Sequence, residues 1–191
     1  MRYEPSNSHL SSDNLEFSIV KRPLKKEESR LLVEKIKYTP NISGYTAREW
    51  RRCKHVFVAE NSRGGLLGAC MNDDFARKWT EIAVLFVLEE YRGKGIGNAF
   101  LRLSLKDLSR RNRNILMISR NPLVTQMMKK AGFEIFPRMA NLPGLDKKTQ
   151  FILTWYYQTR WLMNGYRVYE ILRKKIKFKP NAPVAYGFKL I

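Results

Sequence analysis

"LEEYRGKGIGNAFL", Leu88 to Leu101, decides how the rest of the chain is read. Three glycines, Gly93, Gly95 and Gly97, alternate with Lys94 and Ile96 between an apolar stretch and a helix-like one. A strand that runs into a glycine-rich turn and then a helix is a recipe for holding an anion. The first N–H groups of a helix have no partner within it, and the helix dipole is positive at that end. Glycine lets a phosphate approach the main chain and permits turns that a side chain forbids. Arg92 and Lys94 add positive charge. The same residues would also serve as a ligand-free connection on a basic protein, and the turn alone leaves both readings open.

Outward from the turn, the pattern is that of a mixed α/β sheet. "TEIAVLFVL", Thr80 to Leu88, is apolar and β-branched in the manner of a central strand buried on both faces. "NAFLRLSLKDLSRRN" reads as a helix with Phe100, Leu101, Leu103, Leu105 and Leu108 toward the core and Arg110, Arg111 and Arg113 at its C-terminal end. "NILMIS" is a buried strand. "NPLVTQMMKKAGF" is a short helix with Asn121 as N-cap, Pro122 at its first position and Gly132 as its stop, and "FEIFPR" is a further strand. Upstream, "FSIVKR" reads as a strand, "KKEESRLLVEKIKY" as an amphipathic helix and "TAREWRRC" as a second short helix. "KHVFVAE" and "LLGACMN" are strands joined by the hairpin sequence "NSRGG". Residues 1–15, rich in Ser and Asn, read as a flexible tail before a single domain at 16–191.

From Leu142 the pattern is ambiguous. Phe151, Trp155, Leu162, Tyr166, Tyr169 and Ile176 can line one stripe of a helix or helix pair, yet Asn164-Gly165 between aromatic runs is also a hairpin signal. "APVAYGFKLI" fits a last strand.

Composition narrows the class. The chain has 191 residues, 44% hydrophobic and 12% aromatic, as a globular domain with a real core has. No stretch of about 18 apolar residues predicts a membrane span. The N-terminus has no apolar leader core, so a cytoplasmic location is expected. Cys53 and Cys70 match neither a metal spacing nor a disulfide framework, so no metal is expected and the thiols read as inert. Lys and Arg number 36 against 17 Asp and Glu, a net charge of +19. That balance favours polyanions, whether nucleic acid, anionic membrane surfaces or phosphorylated small molecules, and is also met in proteins that are merely basic.

Glycine spacing excludes two common phosphate loops. No GxxxxGK[ST] string occurs, and a GxGxxG fingerprint fails at Asn98 from one starting glycine and at Phe100 from the other. "RGKGIG", Arg92 to Gly97, instead fits [RQ]-x-x-G-x-[GA]. With the strand before it and the helix after it, this resembles the acetyl-CoA pyrophosphate loop of the GCN5-related N-acetyltransferases, the GNAT family. "NPLVTQMMKKAGFEIF" is similar to that family's next helix and strand, with Asn121 followed by Gly132 and Phe133. The resemblance covers roughly residues 16–138 and leaves 139–191 as an aromatic, basic C-terminal elaboration.

The resemblance implies a mostly antiparallel central sheet with helices on both faces, acetyl-CoA as co-substrate, and direct acetyl transfer to a primary amine in a ternary complex. It implies that the main-chain N–H groups of Arg92, Gly93, Lys94, Gly95, Ile96, Gly97 and Asn98 surround the pyrophosphate. The backbone at Leu85 and Val87 would pair with the pantetheine arm, and Asn121 would reach the cofactor as well as cap its helix. Arg120 and Lys129 stand within reach of phosphates on charge alone. Glu81, eleven residues before Arg92, resembles the family's general base, sharing a strand face with Ala83 and Leu85. Burial there would raise its proton affinity, as a base requires, although a solvent-exposed or ion-paired carboxylate fits the sequence equally well. The Tyr that often protonates the leaving thiolate seven residues after the Asn is replaced by Met128.

The acceptor is not written in these motifs. A small-molecule or protein amine is the first expectation. A nucleic-acid-borne amine such as aminoacyl-tRNA is the second, with "LRKKIKFK" (Lys174, Lys175 and Lys177) beside Trp155, Tyr156, Tyr157 and Trp161 as its contact surface. In the plainer reading of that region, the aromatics pack inward and the lysines form a solvated face. A non-catalytic CoA-binding module is the third expectation, prompted by Met128. The sequence gives no oligomeric state.

Overall fold

The structure is a computed structural model that describes residues 2–3, 16–42, 44–76, 78–139, 146–179 and 182–191. Its strands are β1 (Arg2–Tyr3), β2 (Phe17–Lys21), β3 (His55–Asn61), β4 (Leu66–Ala76), β5 (Trp79–Val87), β6 (Asn114–Ser119), β7 (Glu134–Phe136) and β8 (Ala185–Lys189). Its helices are α1 (Lys26–Lys37), α2 (Ala47–Arg52), α3 (Ile96–Arg110), α4 (Pro122–Lys130), α5 (Lys147–Leu162) and α6 (Gly165–Phe178). One sheet runs in the order β1-β2-β3-β4-β5-β6-β8-β7, antiparallel at every pair except β5 with β6. This is the mostly antiparallel α/β sheet expected. Arg2 and Tyr3, in the segment read as a tail, pair with Val20 and Ile19 at the sheet's edge, and 4–15 lie outside the described residues.

Three cores hold the faces, one of them joining Leu153 and Tyr157 of α5 to Phe75, Trp79, Leu116 and Phe188. Under α3 and α4, Phe100, Leu101 and Leu108 pack on Leu67, Cys70, Ile82 and Met117. Under α1 and α2, Leu32, Ile36 and Trp50 pack on Val56, Val58, Met71, Val84 and Phe86. The first turn of α2 is closed by a capping box between Thr46 and Glu49, and at α1 the Glu28 carboxylate accepts from the Lys25 N–H at 2.8 Å. The arginines read as complements to the α3 dipole do more. Arg111 and Arg113 ion-pair with Asp74 of β4, and Arg113 donates to the Trp79 carbonyl at 2.5 Å. Neither cysteine forms a disulfide, and burial pushes the Cys70 thiol up to about 12. No metal-binding cluster of His, Cys, Asp and Glu occurs among the described residues.

The ambiguity after Leu142 resolves to the helical reading, and three local expectations need correction. Asn164-Gly165 turns no hairpin: Asn164 is the N-cap of α6, its Oδ1 accepting from the Arg167 N–H at 3.1 Å, so the segment is a helix pair. The aromatic stripe does not pack inward. Phe151, Trp155, Leu162, Tyr169 and Ile176 are exposed, while Leu153 and Tyr157 of α5 and Arg167, Glu170 and Lys174 of α6 are buried. Lys174, read as part of a solvated or nucleic-acid-binding face, lies inside. It donates to the carbonyls of Ile36 and Ile42 at 2.6 and 2.7 Å, and burial lowers its pKa to about 8. Finally, Glu81 and Leu85 do not share a strand face. The β4–β5 register slips between Met71–Val84 and Asn72–Ile82, leaving Ala83 as an extra residue. Beyond that bulge Leu85 and Val87 pack toward α3, whereas Glu81 meets α5 on the opposite side.

Candidate acyl-transfer site

The site forms where β5 and β6 part. Their parallel pairing ends at Glu81 with Leu116, after Trp79 with Asn114 and Thr80 with Ile115. From Ile82 onward β5 keeps β4 on one side and turns an unpaired edge to the widening gap on the other. The Leu88 N–H bonds the Leu67 carbonyl at 2.9 Å, and main-chain groups alternate in direction along a strand. Those of Phe86 therefore point to β4, and those of Leu85 and Val87 point into the gap. The Val87 carbonyl there accepts from Arg92 Nε at 3.2 Å.

The glycine turn closes the wide end of the gap. Glu89–Tyr91 make one 3-10 turn, and the Arg92 N–H returns to the Glu89 carbonyl at 3.2 Å. Arg92 thus differs from its neighbours: its N–H is engaged, and its guanidinium turns back onto the Val87 carbonyl and the Phe86 ring. Gly93 and Gly95 have φ of +78° and +80°, in the left-handed region where a side chain is strained. Gly95 is the N-cap of α3, and the first intrahelical bond is from Ala99 N–H to its carbonyl at 3.0 Å. The N–H groups from Gly93 to Asn98 have no acceptor among the described residues. They form a concave run of donors at the positive end of a 15-residue helix, which suits a diphosphate.

Asn121 caps α4 through Oδ1, which accepts from the Leu123 N–H at 3.0 Å, and its own N–H donates to Ser119 Oγ. Its side-chain N–H donors are left for other use. Met128, four residues before Gly132, is wholly buried, and Gly187 of β8 has no room for a Cβ because the Met128 methyl would meet it at 2.2 Å. The position at which the resemblance implies a Tyr is therefore core here.

At the narrow end Glu81 is buried, only 6% exposed, and accepts a 2.9 Å hydrogen bond from the Tyr157 hydroxyl of α5. Asp73 of β4 is its cross-strand partner. Tyr45 and Arg167, both buried, stand close by, with the guanidinium 4.2 Å from the Tyr45 ring centroid. Burial, and next the field of Glu81, push the Tyr157 and Tyr45 phenols well above their ordinary pKa, so both stay protonated donors. Glu49 ties the group together. One oxygen closes the α2 capping box, and the other accepts from Asn164 Nδ2 at 2.9 Å and Arg167 at 2.5 Å. Three of the groups around Glu81 thus come from regions where sequence motifs were silent. The one available sign was the i, i+4 spacing of Leu153 and Tyr157, a second stripe on α5 overshadowed by the aromatic one.

Comparison with known proteins agrees with this geometry. Residues 52–135 match the family model described as an acetyltransferase (GNAT) domain. Rv2747 from Mycobacterium tuberculosis, solved in complex with CoA, superposes with a TM-score of 0.62 at 13% identity, over 90% of this chain and 99% of that one. N-acetylglutamate synthase from Neisseria gonorrhoeae, solved with coenzyme A and N-acetyl-glutamate, gives 0.59 at 15% identity, over 89% of this chain and 35% of that one. Ard1 from Thermoplasma volcanium gives 0.53 at 14% identity, over 91% and 97%. At these identities the likeness is one of fold. No curated protein matches the sequence.

Proposed function

We propose, from the match of residues 52–135 to a family model described as an acetyltransferase (GNAT) domain, that the chain is an acetyl-CoA-dependent N-acetyltransferase acting on a primary amine of a small molecule or protein, with Glu81 as general base. The observation that carries this reading is the coincidence of three features on one gap. A buried carboxylate sits at the fork of β5 and β6, an unpaired strand edge leads away from it, and a run of unpaired N–H donors waits at the far end.

The gap fits the cofactor's parts in order. The donors of Gly93 to Asn98 take the pyrophosphate, with Lys94 and the Arg92 guanidinium as flanking charge. The edge at Leu85 and Val87 offers main-chain partners to the amide-bearing arm, and the Asn121 amide adds a donor beside it. When bound, acetyl-CoA supplies a thioester carbonyl activated toward attack.

Glu81 then takes a proton from the acceptor's ammonium, directly or through one water. The freed nitrogen lone pair forms the C–N bond, the C–S bond breaks with its electron pair leaving on sulfur as a thiolate, and the nitrogen sheds its remaining surplus proton to water to become the amide. Tyr157 acts as a positioning residue: its hydroxyl donates to one Glu81 oxygen and fixes the orientation of the carboxylate. Met128 offers no proton to the thiolate, and with a free thiol pKa of about 8.5 the sulfur can leave without one.

The test is release of free thiol from acetyl-CoA against a panel of amino acids, polyamines, peptides and charged tRNA. Turnover with any amine supports the reading. Tight acetyl-CoA binding with no turnover across the panel would favour a non-catalytic CoA-binding module, and turnover confined to charged tRNA would favour a nucleic-acid-borne acceptor.

A further inference from the structure

In the helix pair α5–α6, the second helix is packed with its polarity reversed. On α6 the side turned to the domain carries Arg167, Glu170 and Lys174, all buried. At about 100° per residue, Tyr169, Leu172 and Ile176 lie opposite that stripe, and Ile176 is 76% exposed. On α5, Leu153 and Tyr157 face inward while Phe151 and Trp155 point away, the latter 59% exposed. The two outward stripes are joined through Leu162 and Met163 at the turn between the helices, both exposed. Seven large apolar side chains thus form a face with no partner among the described residues.

Exposed cations border it. Lys147 and Lys148 lie four and three residues before Phe151, Lys175 three after Leu172 and Lys179 three after Ile176. These are the spacings at which side chains are neighbours on a helix. No exposed carboxylate stands among them on α6, where Glu170 is buried against Arg173. The net charge of +19 extends the same sign over the molecule.

We propose that this face is a docking surface for an anionic lipid bilayer, on which α5 and α6 lie flat. Charge selects the occupant. A second copy of the chain would bring lysines against lysines around its apolar contact, whereas an anionic headgroup layer complements them. A nucleic acid would satisfy the lysines but not Leu162, Leu172 and Ile176, which neither stack on bases nor donate hydrogen bonds. Trp155 and Tyr169 are amphipathic rings of the kind that settle at the headgroup boundary. No helix among the described residues is long and apolar enough to cross a membrane, so the chain would rest on the bilayer through this face.

The test uses the full chain in vesicle sedimentation, with vesicles of phosphatidylcholine alone and of equal parts phosphatidylcholine and phosphatidylserine. Binding is expected to the mixed vesicles and to weaken with salt. Leu172→Ser with Ile176→Ser should reduce it at least about tenfold. Each of Lys175→Gln and Lys179→Gln should reduce it about fivefold, leaving the folded core untouched because both side chains are exposed. Three outcomes overturn the proposal: no sedimentation of the wild-type chain with mixed vesicles at low salt, equal binding by the serine variant, or a dimer in light scattering that the serine variant dissolves. Binding to polyuridylate that is lost on Trp155→Ala while vesicle binding is absent would assign the face to nucleic acid instead.

Discussion

Glu81 owes its position to events on three elements. β5 parts from β6 beside it, a bulge two residues later turns the rest of the strand over, and Tyr157 arrives from α5 to bond it. A carboxylate hydrogen-bonded in a buried site is held in one orientation, and removing the donor frees it to rotate and favours its protonated form. Tyr157→Phe should therefore lower kcat about tenfold and move the acid limb of the pH–rate profile upward, with the KM for acetyl-CoA unchanged. A stability change with an unmoved pH profile would make the bond structural only. The sequence disclosed Glu81 through its distance from the glycine turn. It could not disclose Tyr157, which is 76 residues away and reaches the site only because α5 packs over Trp79 and Phe75. Nor could it show that Met128 is core, since that follows from Gly187 on a strand inserted between β6 and β7.

Among elements, the strand–turn–helix of β5 and α3 was the most readable, because its requirements are local. Gly93 and Gly95 adopt left-handed φ, and the turn they make leaves the N–H groups from Gly93 to Asn98 without an acceptor among the described residues. Gly95→Ala should cost about 1–2 kcal/mol in stability and weaken acetyl-CoA binding in calorimetry, since relaxing the strain redirects the donors of Ile96 and Gly97. Unchanged affinity would remove the turn from the cofactor site. The elements misread were those decided by tertiary context. The bulge at Ala83 leaves no mark on an apolar strand buried on both faces, so alternation counted from Glu81 failed beyond it. The α5–α6 stripe misled for a different reason: spacing identifies a stripe but not the side on which the domain lies. Here buried Arg167 finds a carboxylate and Lys174 the carbonyls of Ile36 and Ile42 inside, which releases the apolar side to the outside.

At the scale of the whole molecule, charged side chains fasten the N-terminal layer to the sheet. Arg22, between β2 and α1, binds both Glu28 oxygens at 2.7 and 2.8 Å and Glu60 of β3 at 2.5 Å. Burial raises the Glu28 carboxyl, but the Arg22 bonds and the Lys25 N–H outweigh it, and the net pKa falls below the ordinary 4.5. The folded state therefore binds that proton less readily than the unfolded chain. Its stabilisation is present above the unfolded value and is lost as pH falls through the folded one. Arg22→Ala should cost about 2 kcal/mol at neutral pH and flatten the acid end of the stability curve, as read by urea denaturation across pH. An equally steep acid limb in the variant would show that other carboxylates govern it.

The central claim is that Glu81 serves chemistry at the fork of the sheet rather than the packing around it. The direct measurement is single-turnover acetyl transfer by Glu81→Gln beside the wild type, on an amine the wild type acetylates, with acetyl-CoA affinity measured on both. The account predicts a transfer rate lower by about 10²–10³ with acetyl-CoA affinity within twofold or so of the wild type. A Glu81→Gln enzyme that transfers acetyl as fast as the wild type would contradict it.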